Sequence, residues 1–169
     1  INYVSEDNFN GRNLLMYYPM LLESRTLLNE ELKKELIKEI EAKLTLSLIQ
    51  EYTKNTQEML SLNEKKIKLA ELKKEQNVDD IISYSLILRL RTWYILSCIY
   101  NGKKWNQNEL IKVVKKVSGS DKAYQAYLNV KEGRKNSKIL PLDEAKKLLI
   151  YLNKETSKWL KEKRGLKSR

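Results

Sequence analysis

Histidine is absent from this 169-residue chain, cysteine and phenylalanine occur once each, proline twice and glycine five times. Without histidine there is no imidazole for acid–base catalysis and no histidine metal ligand. A single thiol, Cys98, excludes an intrachain disulfide and a zinc site built mainly on thiolates. P-loop, dinucleotide-binding glycine pattern, nucleophile elbow and metalloprotease helix are also missing from the sequence. With so little Gly and Pro, and with Leu, Ile, Lys and Glu dominant, the chain reads as all-α: a helical bundle of about five to seven helices, including a long amphipathic helix near the N-terminus and a central apolar helix.

Net charge is +11, and it is unevenly placed. Residues 101–169 hold 19 Lys/Arg against 7 Asp/Glu, whereas residues 1–100 hold 14 against 15. A basic C-terminal part favours a polyanion partner, because lysines and arginines that neutralise phosphates release counterions. The lone cysteine suits a reducing compartment, and a cytoplasmic location is expected. The opening INYVSEDNFN reads as a linker or tag remnant over residues 1–10, ahead of a bundle spanning 11–163 and a basic tail at 164–169. A C-terminal fragment of a longer protein is the expectation.

The stretch Ile81–Tyr100, IISYSLILRLRTWYILSCIY, is apolar around its whole circumference, as a central helix is. Its length meets the test for a membrane span, but Arg89 and Arg91 each cost roughly 2.5–3.5 kcal/mol on insertion scales. A core helix and no membrane partner is the reading. Arginines so placed need an anion or a partner. Being two residues apart, about 200° around a helix, they point to different places. One is expected to bind a ligand and the other to pair structurally, for instance with a carboxylate of the long first helix, although structural pairing of both is an open alternative.

Elsewhere the punctuation is local. Pro19 predicts a short helix on each side of it. Asn29 is the N-cap expected for the long helix, whose stripe of Leu32, Leu36, Ile37, Ile40, Leu44, Leu48, Ile49 and Tyr52 runs to an end near Thr53–Asn55. A separate helix follows over Thr56–Gln76, with Met59, Leu60, Ile67, Ala70 and Leu72 as its apolar set. Asp79 or Asp80 caps the central helix, a role that accounts for the paired aspartates without a metal. Asn101-Gly102 closes that helix. Asn106-x-x-Glu109 forms a capping box, Gly119 and Gly133 end two short helices, and Ser120 or Asp121 caps the second. Pro141 and Asp143-Glu144 open the last helix.

The segments NLLMYYPMLLESRTLL, RLRTWYILSCIYNGKKW, AYQAYLNVKEGRK and DEAKKLLIYL together resemble the C-terminal helical domain of a family of archaeal nucleotidyltransferases, over most of residues 12–160. That resemblance implies a nucleotide-binding, HEPN-like bundle with the catalytic residues in a preceding domain; Mg2+ would then enter only through that domain, and this chain would need no cofactor of its own. HEPN ribonucleases place a histidine after an arginine with four to six residues between. Those positions hold Tyr94, Ile95 and Leu96 after Arg89, and Leu96, Ser97 and Cys98 after Arg91, so ribonuclease activity is not expected.

The expected nucleotide- or phosphate-binding residues are Arg89, Arg91, Lys131, Arg134 and Lys135, with no catalytic residue and no metal ligand. The implied partners are a nucleotide or RNA, an upstream nucleotidyltransferase domain, and a second copy in a homodimer. A different class of function rests on residues 106–131, two short helices joined by Ser-Gly-Ser-Asp. This is the general form of a helix-turn-helix, in which Lys122, Gln125 and Asn129 would read a DNA groove. A helical protein-interaction module is the third reading.

Overall fold

The computed structural model describes residues 11–24, 29–134 and 138–161. Within them lie seven α-helices and no strand: α1 (Gly11–Glu23), α2 (Glu30–Lys43), α3 (Leu46–Leu72), α4 (Asp80–Tyr100), α5 (Gln107–Ser118), α6 (Lys122–Lys131) and α7 (Leu142–Lys161). The expected fold class is the one observed. The expected linker at 1–10 and basic tail at 164–169 lie outside the described residues.

Helix α4 is central, packed on α3, α6, α7 and α1. Ile82, Leu86, Ile87, Leu90, Ile95 and Leu96 are buried in one core with Leu60 and Ile67 of α3 and Leu148 and Leu152 of α7. Among the described residues no helix is long and apolar enough to cross a membrane.

Three sequence expectations are corrected. Pro19 lies inside α1 rather than between two short helices. The ring deprives only the Leu15 carbonyl of its donor, and burial of Leu15 and Tyr18 against the core holds the helix through it.

The long first helix breaks at Leu44–Thr45, where Thr45 caps α3 by accepting from the Leu48 N–H at 3.2 Å. The break keeps the apolar rhythm, since Ile40, Leu44 and Ile49 are all buried across it.

Conversely, the end expected near Thr53–Asn55 does not occur. Thr53 and Thr56 are buried inside α3, and the Thr53 hydroxyl donates to the Ile49 carbonyl at 2.7 Å instead of stopping the helix. The two helices expected over residues 29–76 thus exist with their boundary moved from residue 55 to residue 45.

The other signals act as read. Asn29 accepts from Leu32 N–H, and Asp79 from Ile81 N–H at 2.7 Å. After α4, Gly102 N–H reaches the Ile99 carbonyl and Lys103 N–H the Cys98 carbonyl, with Gly102 at φ 63°. Asn106 accepts from the N–H groups of Asn108 and Glu109, so the N-cap half of the expected capping box forms, while the Glu109 carboxylate accepts from Lys112 at 2.6 Å. Of the two candidates ahead of α6, Asp121 holds the cap position without a side-chain bond, while the Ser120 hydroxyl accepts from Lys122 N–H.

A short strap joins the starts of α4 and α7. Val78 N–H donates to the Leu140 carbonyl and Leu142 N–H to the Gln76 carbonyl, both at 2.9 Å. Asp80, buried, accepts the Lys138 N–H.

Candidate anion-binding site on the central helix

The two arginines of α4 have opposite fates. Arg91 shares a helix face with Tyr84, and its guanidinium carbon lies 5.6 Å from the centre of the Trp105 ring. Trp105 is buried, donates its indole N–H to Glu23 Oε1 at 2.7 Å, and meets Tyr94 edge-on at 5.6 Å. Arg91 therefore has an electrostatic partner, the ring face. Beside it a recess of about 390 Å³ is lined by Glu23, Trp105, Asn106, Gln107 and Asn108. Gln107 bridges this edge to α6 by donating to the Tyr124 hydroxyl at 2.8 Å.

Arg89 faces elsewhere. It lies one turn after Ser85, whose hydroxyl accepts from Asn63 of α3, and one turn before Trp93, whose ring meets Tyr151 of α7 edge-on at 5.5 Å. Arg89 thus sits on the line of α4 that runs along α3 and α7. Its Nε is buried and finds no acceptor among the described residues, and the Trp93 indole N–H is in the same condition. Burial pulls the Arg89 pKa below its ordinary value, with Tyr84 acting weakly the other way. Two buried donors one turn apart, one of them cationic, form a place where an anion is worth more than at the surface.

Neither arginine is ion-paired with a carboxylate among the described residues. The expected structural pairing with the long first helix is therefore not found. Arg91 uses an aromatic ring in its stead, and the carboxylate nearest that ring, Glu23, belongs to α1 and is engaged by the indole.

The remaining expected residues do not join these two. Tyr84 stacks on Tyr127 at 5.2 Å, and Tyr124 lies within the field of Arg91, so α6 runs antiparallel to α4. This puts Lys131 and Arg134 towards the start of α4, with Lys138 bound to Asp80, roughly 16 Å along the helix from Arg91. Lys131 is exposed, and the Arg134 guanidinium is engaged by Glu132 at 2.8 Å. Lys135 lies outside the described residues. On α6, Ala123, Tyr124, Ala126 and Tyr127 are buried, while Lys122, Gln125 and Asn129 share the outward face. Among the described residues no group of three or more His, Cys, Asp and Glu is placed to hold a metal.

Trp105 and Trp93 were not legible as site residues, because an indole after a turn or within an apolar run reads as core. The signal that existed for Trp93 was its spacing of four from Arg89.

The chain is an all-α bundle organised on one central helix. No protein-family model matches it, no curated protein is significantly similar to it, and no solved structure matches its fold.

Proposed function

We propose that this helical domain is a non-catalytic module that binds a nucleotide or an RNA phosphate at Arg89, positioning it for a nucleotidyltransferase domain that supplies metal and chemistry. The observation that carries the reading is the buried Arg89 Nε without an acceptor, next to the equally unpartnered Trp93 indole N–H. A phosphate has oxygens enough for both donors, and charge-assisted bonds from guanidinium to phosphate are about twice as strong as neutral ones. The basic C-terminal part of the chain, residues 101–169, adds a long-range attraction for the same ligand.

The test is equilibrium binding of a fluorescent nucleoside triphosphate and of a short single-stranded RNA at low salt. Arg89→Met is expected to weaken binding tenfold or more, while Arg91→Met has a smaller effect because Arg91 is held by Trp105. Unchanged affinity in Arg89→Met rejects the assignment. Replacing Arg134 with Ala tests the basic turn separately, through the slope of affinity against salt.

A second reading is DNA recognition by α6, favoured by the common outward face of Lys122, Gln125 and Asn129. Footprinting on duplex DNA with a defined half-site, lost in Gln125→Ala, would select it over the first.

A further inference from the structure

Helix α3 buries one face and leaves an apolar line on the other. Thr53, Thr56, Leu60, Asn63, Ile67 and Ala70, spaced alternately three and four apart, are buried. On the outward side Leu62 is 49% exposed, Leu69 51% and Leu72 80%. These three follow the seven- and three-residue spacing of a coiled-coil seam, whose intervening place is taken by Lys65. A single exposed leucine needs no explanation, but a row of them along one helix marks an interaction surface.

The charges around the row identify the occupant. Lys68 is neutralised by Glu64 at 2.7 Å, and Glu71 by Lys146 at 2.6 Å. Lys65, Lys66 and Lys73 are exposed and have no ion-pair partner among the described residues. Glu58 is the carboxylate one turn before Leu62, so the stretch from Leu62 to Lys73 offers leucines flanked by unpaired ammonium groups.

A second copy of this chain fits poorly. Antiparallel pairing that sets Leu62 against Leu69 also sets Lys65 against Lys66 and gathers four lysines at the centre, and parallel pairing sets each lysine against itself. Like charges across a helix seam destabilise it.

We infer that the outward face of α3 is a docking surface for an acidic amphipathic helix of another protein, one that lays an apolar seam on Leu62, Leu69 and Leu72 and sets carboxylates against Lys65, Lys66 and Lys73. This surface lies on the side of α3 opposite the buried Asn63 that meets α4, so the proposal does not rest on the Arg89 reading.

The experiment measures fluorescence anisotropy of the full chain with labelled three-heptad peptides carrying leucine at the seam and either glutamate or lysine at the flanks. The acidic peptide is expected to bind at least tenfold more tightly than the basic one, with the preference shrinking as salt rises. Leu69→Glu abolishes binding, and Lys65→Glu/Lys66→Glu reverses the charge preference. Both changes are at exposed positions, and far-UV circular dichroism verifies that the fold is retained. Failure of both peptides to bind, equal affinity for the two, or insensitivity to Leu69→Glu overturns the proposal. So does concentration-dependent self-association that Leu69→Glu removes, which would make the face an interface between copies. Leu69→Glu is expected to leave any nucleotide binding unchanged, and if the chain binds no nucleotide the peptide titrations still decide the docking surface by themselves.

Discussion

Lys138 donates its backbone N–H to the carboxylate of Asp80 at 2.8 Å, although the two residues are 58 positions apart. Asp80 is buried in the first turn of α4, where the helix dipole favours a carboxylate, and its bond continues the strap formed by Val78–Leu140 and Gln76–Leu142. The basic turn after α6 is thereby tied to the central helix. Asp80→Ala removes the acceptor of this part-buried bond and should cost about 1 kcal/mol, since the Lys138 N–H can turn to water. Thermal unfolding followed by circular dichroism should show a fall of several degrees, at about 2–4 °C per kcal/mol for a chain of this size. Asp80→Asn, which keeps an acceptor, should recover most of it.

Arg89 produces two effects of opposite sign. The free protein holds a partly buried guanidinium whose Nε has no acceptor. Arg89→Met keeps the apolar stem and removes the unsatisfied donor, so the unliganded variant should be more stable than the parent by about 1 kcal/mol. The same variant should lose the stabilisation that a phosphate ligand confers on the parent by mass action. Melting curves with and without nucleotide check both signs. A destabilised unliganded variant would mean that the arginine already has a favourable partner.

Helix C-caps predict another pair of opposite effects. Lys74 occupies the left-handed position after α3 at φ 56°, with its N–H on the Glu71 carbonyl and the Glu75 N–H on the Ala70 carbonyl. Lys74→Gly should relieve roughly 0.5–1 kcal/mol of backbone strain, less the entropy that glycine adds to the unfolded chain. Gly119 holds the equivalent place after α5 at φ 103°, and a Cβ there meets nothing within 4 Å. Gly119→Ala should therefore destabilise through its dihedral alone, by about 1 kcal/mol. Urea unfolding of both variants decides the comparison.

The same Lys74 shows what was readable in the chain. Helix ends marked by Gly102, Gly119 and Gly133, and starts marked by Asn29, Asp79 and Asn106, are local chemistry and were found where expected. The end of α3 carries a lysine where a glycine would announce it, and the α2–α3 break leaves the apolar rhythm intact, so both boundaries were hidden. Thr53–Asn55 reads as a stop because threonine and asparagine side chains compete for backbone bonds; burial directs the Thr53 hydroxyl back to the Ile49 carbonyl. Of the site, the oddity of Arg89 and Arg91 and their divergence came from spacing alone. Which of the two is satisfied depends on Trp105, brought to Arg91 by a turn and a tertiary contact that no periodicity encodes. Met59 and Leu72 belong by residue type to the apolar set of their helix yet are exposed, because residue type alone does not choose which of two apolar lines faces the core.

Stability should fall at alkaline pH through buried phenols. Tyr18, buried, donates to Glu41 Oε1 at 3.0 Å; burial first, then the Glu41 charge and that bond, hold its pKa far above the ordinary value near 10. Burial, aided by the Glu155 charge, pushes Tyr151 up to about 12, and burial does the same for Tyr94. Each folded-state pKa is raised, so above pH 10 the native state keeps protons that the unfolded chain has lost. Their contribution is complete below pH 10 and is lost as pH climbs towards and past 12. Cys98, whose buried thiol is also pushed up, adds the same sign from a lower pH. Melting temperature should hold between pH 8 and 9 and then decline steadily. Tyr18→Phe, which has no phenol to ionise, should make that decline shallower, and an unchanged slope would exclude Tyr18 as a source of the alkaline sensitivity.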